Sequence, residues 1–165
     1  MQHHIWIQSP FGLLLATGNG YALTGLYFGP DYPPLKSSEE SSTDVMLQAT
    51  SRWLQDYFRG ECLSFPDIPM CPKGTQFQHL VWEKVKTIPY GETVSYGQIA
   101  KAIAEKMGVD RMSAQAIGGA LGRNPIPIIV PCHRVLGAGR SLTGFTGGIE
   151  KKRFLLDLEQ IPYKK

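Results

Sequence analysis

The pentapeptide Pro131-Cys132-His133-Arg134-Val135 sets a thiol directly beside an imidazole at the end of an apolar run, Ile126-Pro127-Ile128-Ile129-Val130. A thiol becomes a strong nucleophile near neutral pH as its thiolate, and a neighbouring imidazole is a common way to obtain one. The pattern points to nucleophilic chemistry at Cys132. The run before it is bracketed by prolines, which predicts a short, extended, buried segment ending at a rigidly held cysteine. Cys62 and Cys71 have neither a basic neighbour nor a motif and read as inert, buried small hydrophobes. Three cysteines without CxxC spacing argue against a disulfide framework and a structural zinc site, so no metal is expected. His3 and His4 read as a solvated N-terminal pair.

Such a motif needs a scaffold, and 165 residues with 42% hydrophobic content suffice for one domain or two small ones. No stretch approaches the roughly 20 apolar residues of a spanning helix, and the start lacks the marks of a secretory leader. A cytoplasmic protein without a membrane partner is expected. Segments at 5–8, 13–16 and 21–28, separated by turn residues, predict an antiparallel meander. A loop over 29–42, rich in Pro, Ser and Glu, leads to an amphipathic helix marked by Val45, Met46, Ala49, Trp53, Leu54, Tyr57 and Phe58, with Asp44 as N-cap and Gly60 at its end. Pro66, Pro69 and Pro72 make 66–74 the linker, dividing the chain into domains 1–73 and 74–165.

In the second part, Phe77, Leu80, Val81, Trp82 and Val85 share one helical face. Ser95 caps a helix over 96–105 that Gly108 stops, and Ser113 caps another over 114–121, a pairing that resembles a helix-turn-helix. The second helix is nearly bare, with Ala114, Ala116, Gly118, Gly119 and Ala120. Two adjacent glycines cost about 1 kcal/mol each relative to Ala inside a helix, so something must compensate. One explanation is close packing against the core; the other is that the helix presses into something narrow, such as a DNA minor groove only ~6 Å wide. Charge bears on this choice. Residues 1–82 hold four Lys and Arg against seven Asp and Glu, a balance of −3, whereas residues 83–165 hold thirteen against seven, a balance of +6. A basic second half suggests a polyanionic partner.

In order along the chain, Gly74-Thr75-Gln76-Phe77-Gln78, Val94-Ser95-Tyr96-Gly97, Ala116-Ile117-Gly118-Gly119-Ala120, Asn124-Pro125, the Cys132 pentapeptide, Thr143-Gly144-Phe145-Thr146-Gly147-Gly148 and Leu155-Leu156-Asp157-Leu158-Glu159 resemble the O6-alkylguanine-DNA alkyltransferases of bacteria and archaea. The resemblance implies an α/β (α+β) fold. Its parts are an N-terminal ribonuclease-H-like antiparallel sheet with a helix, and a C-terminal all-helical, winged-helix-like domain whose helix-turn-helix enters the minor groove. The implied activity is direct-reversal DNA repair, a single-turnover transfer of an alkyl group from O6-alkylguanine, and from O4-alkylthymine, to Cys132 after base flipping. The partner is double-stranded DNA carrying alkylated bases, the protein is expected to be a monomer, and no cofactor is needed.

The resemblance also distributes roles. Cys132 is the nucleophile; His133 takes its proton through a water, and Glu159 orients the imidazole. Tyr96 donates to the departing guanine, and Asn124 ties the DNA-binding helix to the cysteine segment. Ser95, Ala116, Gly118, Gly119, Arg134, Val135 and Thr146 fall among the substrate and DNA contacts, with Thr146 offering a donor to O6, and Arg111 and Arg123 read as phosphate contacts. Many relatives carry an arginine three residues before the Gly-Gly pair, filling the gap left by the flipped base, where this chain has Gln115. The zinc-binding cysteine and histidine set of some relatives is also missing. Three other readings compete: a non-repairing alkyltransferase-like lesion binder, which would lack the cysteine; a cysteine hydrolase, whose base comes from a distant part of the chain; and a DNA-binding regulator, which needs a further module.

Overall fold

The computed structural model describes residues 2–35, 38–41 and 43–164, a mixed α/β chain that divides into two compact units, Met1–Lys73 and Gly74–Lys165. In the first unit the expected meander forms from β1 (Gln2–Ser9), β2 (Gly12–Gly18) and β3 (Leu23–Phe28), with Ile5 opposite Ala16 and Ile7 opposite Leu14. Ile5 and Ile7, two residues apart, share the core face of β1, whereas Trp6 between them is 37% exposed. The stretch 29–42 is more than a loop. Ser38–Glu40 forms β4 and pairs parallel to β1, giving the order β3-β2-β1-β4; residues 36, 37 and 42 lie outside the described residues.

Helix α1 (Val45–Phe58) starts at Asp44, whose carboxylate accepts from the backbone N–H of Met46 and Leu47 at 2.9 and 3.1 Å and pairs with His3 Nδ1 at 2.7 Å. Its buried ridge is Leu47, Thr50, Leu54 and Tyr57, whereas Val45 is 67% exposed. The expected face was thus rotated: Thr50 enters the core because its hydroxyl donates to the Met46 carbonyl at 2.8 Å and leaves a methyl to pack. His3 and His4 are not a solvated pair, since both lie in β1 and His4 is buried. Cys62 and Cys71 are exposed, not buried, on the irregular stretch that follows α1. Within that stretch, the residues around Met70 pair with Leu23 through bonds of 2.8 Å from Leu23 N–H to Pro69 O and from Cys71 N–H to Leu23 O.

The second unit is built on α2 (Gln76–Val85), α3 (Tyr96–Met107) and α4 (Ala114–Gly122), which pack against one another, and α5 (Ile149–Leu158). Thr75 with Gln78 and Ser95 with Gln98 form capping boxes, Gly108 closes α3 in the left-handed conformation, and Ser113 Oγ accepts from Ala116 N–H. Trp82, 2% exposed, donates from Nε1 to Ala120 O at 2.9 Å and joins α2 to α4. This unit is not all-helical: β5 (Val94–Ser95) pairs parallel to β6 (Val135–Leu136), bringing the start of α3 beside the segment that follows Cys132. Residues 126–130 are buried as expected but wound into turns, not extended, because two prolines and the bonds described below leave no strand partner.

Candidate active site

Cys132 opens a 3-10 turn, Cys132–Arg134, and is 5% exposed. The turns before it hold Ile128, which is fully buried, at φ 72°, a region that β-branched residues avoid at a cost on the order of 1–3 kcal/mol. Hydrogen bonds impose this shape: Ile129 N–H to Pro127 O at 2.8 Å, Val130 N–H to Ile126 O at 3.0 Å, and Asn124 Nδ2 to Val130 O at 3.0 Å. Asn124 uses the rest of its amide as well. Its Oδ1 accepts from Ile126 N–H at 3.0 Å and its Nδ2 donates to Cys132 Sγ at 3.3 Å, so one buried side chain joins the end of α4 to the thiol.

His133 is fully buried, and its Nε2 lies 2.6 Å from Glu159 Oε2 at the C-cap of α5. Glu159 Oε1 also accepts from Gly91 N–H at 3.0 Å and Arg134 Nε at 2.8 Å, and Oε2 accepts from Arg134 Nη2 at 3.2 Å. Burial alone would raise the carboxyl, but the hydrogen bond from His133 and the guanidinium of Arg134 outweigh it and hold it at about 2. Burial dominates for His133 and lowers its imidazole below the usual value, against the pull of Glu159. An ionised carboxylate only accepts, so Nε2 carries the hydrogen and the ring's lone pair sits on Nδ1. Burial likewise pushes the Cys132 thiol up to about 11, against the hydrogen bond from Asn124 and the charge of Lys152. Burial thus favours the neutral form of both the thiol and the imidazole.

The thiol opens on a cavity of about 360 Å³, walled by Tyr96, by Gly118, Leu121 and Gly122 of α4, and by Gly144, Phe145 and Thr146 of the loop before α5. The Thr146 hydroxyl donates to Gly122 O at 3.4 Å across this cavity. Ser95, Gln115 and Gly118 line an adjoining apolar groove of about 650 Å³ with Tyr96. Gln115, Gly119, Arg111 and Arg123 are exposed and Ala116 is half-buried. Two expected contact residues are placed elsewhere: Arg134 is only 6% exposed because it spends its guanidinium on Glu159 and on Ile88 O at 2.7 Å, and Val135 is fully buried in β6.

Sequence reasoning missed Lys152. It is fully buried on α5 and donates to Val135 O at 2.9 Å and Thr143 Oγ1 at 3.2 Å; Thr143 Oγ1 is 2.6 Å from the Tyr96 hydroxyl. Burial lowers its ammonium to about 8, against the opposing pull of Cys132. The run Glu150-Lys151-Lys152-Arg153 looks like a solvated helix face, yet Lys152, Leu155, Leu156 and Glu159 recur at helical spacing, a signal that placed Lys152 inward. Among the described residues no group of three or more His, Cys, Asp or Glu side chains is arranged to hold a metal ion.

Fold and site together define a class: a two-unit α/β protein in which a buried, carboxylate-backed Cys-His pair faces a cavity walled by a glycine-rich helix. Residues 76–161 match the family model described as 6-O-methylguanine DNA methyltransferase, DNA binding domain. A methylated-DNA–protein-cysteine methyltransferase of Haemophilus influenzae is 41% identical over 162 residues, covering 98% of this chain and 88% of the relative. A protein of the same name from Methanosarcina acetivorans is 42% identical, over 92% of this chain and 94% of its own length. The crystal structure of the Mycobacterium tuberculosis O6-methylguanine methyltransferase superposes with a TM-score of 0.81 at 43% identity, covering 97% of this chain and 93% of that one. A crystal structure of Mycobacterium tuberculosis OGT in complex with DNA gives 0.81 at 42% identity, over 96% and 92%. The chain belongs to the 6-O-methylguanine DNA methyltransferase family.

Proposed function

We propose that this protein repairs O6-alkylguanine, and O4-alkylthymine, in double-stranded DNA by moving the alkyl group once and irreversibly onto Cys132. The observation that carries the reading is the thiol at the floor of a cavity, tied to Asn124 and followed by a carboxylate-backed imidazole. As the thiol proton passes through a water to His133 Nδ1, the sulfur attacks the alkyl carbon and the carbon–O6 bond breaks, its electron pair leaving with guanine. Tyr96 donates a hydrogen bond to the ring as that charge develops, and Thr146 serves O6. Burial disfavours the thiolate, so negative charge on sulfur develops as the proton leaves. The product thioether has no good leaving group, so each molecule acts once.

In this reading residues 1–73 are a ribonuclease-H-like domain and 74–165 a winged-helix-like domain in which α3 and α4 are the helix-turn-helix. The protein acts as a cytoplasmic monomer. Support for minor-groove entry comes from α4: a Cβ added at Gly119 or Gly122 would meet nothing within 4 Å, and at Gly118 only Tyr96 Cε1 at 3.7 Å. Close packing against the core therefore does not account for these glycines. A narrow groove pressed against α4 is the reading they support. The lesion-binding alternative fails on Cys132 itself. Incubation with duplex DNA containing O6-methylguanine, followed by intact-protein mass spectrometry, should add one methylene per active molecule, mapped to the Cys132 peptide. Repair should plateau at one equivalent, and Cys132→Ser should bind DNA without transfer. Continued turnover beyond one equivalent would falsify the proposal.

A further inference from the structure

Glu159 has four donors around it, and His133 supplies one. Arg134 supplies two, one to each carboxylate oxygen, while its remaining terminal nitrogen bonds Ile88 O and its guanidinium lies 5.7 Å from the centre of the Tyr90 ring. A fork-to-fork pair of this kind fixes a carboxylate in plane and position as a single point charge would not. Arg134 is 6% exposed and Glu159 4%, so their charges act on the imidazole at low dielectric.

We propose that Arg134 is a positioning residue of the transfer site: its guanidinium holds both oxygens of Glu159 in register with His133 and offsets their charge, so that Glu159 orients the imidazole as the acceptor of the Cys132 proton. This rests on reading His133 as the acceptor of the Cys132 proton. A buried carboxylate facing a buried imidazole with nothing else nearby favours the imidazolium, because the two charges then compensate each other. An imidazolium has no lone pair for a thiol proton. With Arg134 in place the carboxylate is already compensated, and the imidazole becomes positive only when the thiolate becomes negative. The two new charges then appear together, beside each other.

Among the described residues, these groups lie around the imidazole. Cys132 and Arg134 come from its own turn, Lys152 from α5 and Glu159 from the cap of α5; Tyr96 meets the thiol, Tyr90 lies against Arg134, and Phe145 presents an apolar ring 6.4 Å away. Of these, Arg134 and Lys152 oppose protonation of His133, and Arg134 alone also touches Glu159.

The test is the pH dependence of single-turnover transfer from an O6-methylguanine duplex at saturating DNA, for the wild type, Arg134→Met, Arg134→Lys and Glu159→Gln, with DNA affinity measured in parallel. The Met variant should retain DNA binding while the midpoint of its acid limb rises by about one pH unit or more, losing about ten-fold in rate below that midpoint. The Lys variant keeps the charge but cannot span both oxygens and Ile88 O, so its midpoint should stay at the wild-type value with a lower plateau. A purely structural role predicts lower plateaus and no difference in midpoint between Met and Lys. A folded Met variant with the wild-type midpoint, alongside a slowed Glu159→Gln, overturns the role of Arg134 and leaves the relay standing. A Glu159→Gln protein with wild-type rates removes the relay instead. If the Met variant does not fold, NMR titration of the His133 imidazole in the wild type decides: an imidazolium at neutral pH refutes the proposal, and a neutral ring that persists in Arg134→Lys supports it.

Discussion

Lys152 carries the largest unspent consequence of any single residue. Its ammonium reaches the cavity wall through Thr143 and the Tyr96 hydroxyl, so it polarises the group that the proposed function sets against the leaving base. Lys152→Met should leave DNA affinity unchanged and slow single-turnover transfer by about ten-fold or more, since a preorganised donor loses its anchor. Stability offers a second readout with a defined sign. The folded value of about 8 lies below the ordinary 10.5, so the unfolded chain holds the proton more tightly, and this group adds stability as pH rises from about 8 to 10.5. The difference in melting temperature between wild type and Lys152→Met should move in favour of the wild type across that window; a constant difference would contradict the burial of the ammonium. Gln115 is exposed beside the groove. If it fills the space of a flipped base, Gln115→Ala should lower the ratio of duplex repair to reaction with free O6-benzylguanine, and Gln115→Arg should raise it. The same ratio in all three proteins would exclude position 115 from flipping.

At the scale of the element, α4 holds its glycines at odds with its own stability. Open space around Gly119 means that Gly119→Ala should stabilise the free protein by about 1 kcal/mol, or a rise of roughly 2–4 °C in melting temperature. The added methyl should weaken binding to duplex DNA, because the helix then stands further from a narrow groove. A stabilised protein with unchanged affinity would mean that α4 does not enter DNA. Caps and apolar spacing made the helices legible: Asp44, Ser95 and Ser113 each begin the helix that their side chains announce, and Gly108 ends α3. Short strands were not legible. β4, β5 and β6 are two or three residues long, and their pairing is decided by distant segments and not by any local period.

For the molecule as a whole, charge is unevenly divided, with −3 over residues 1–82 and +6 over 83–165, from four against seven and thirteen against seven charged residues. DNA affinity should fall steeply with salt, and Arg111→Gln or Arg123→Gln should each reduce the slope of log affinity against log salt by about one without altering the rate of bound-state transfer. Equal slopes would remove both from the phosphate contacts. Arg134 carries the same charge but should show no such change in slope, because its guanidinium is turned inward onto Glu159.

The sequence by itself determined the candidate nucleophile, the imidazole beside it and the frame of capped helices, because adjacency, capping and helical spacing are local properties of a chain. It also determined the charge division and the bareness of α4. Which meaning to give that bareness depended on the space around each glycine, which is a property of the packed molecule. The tertiary structure alone decided the partners of Glu159, since Gly91, His133 and Arg134 meet it from separations of 68, 26 and 25 residues. It likewise turned Lys152 into the interior. The direction in which each group is shifted followed from the same cause: burial is the largest influence on the thiol, the imidazole and the ammonium, and burial is a property of the packed core that no local stretch of the chain carries.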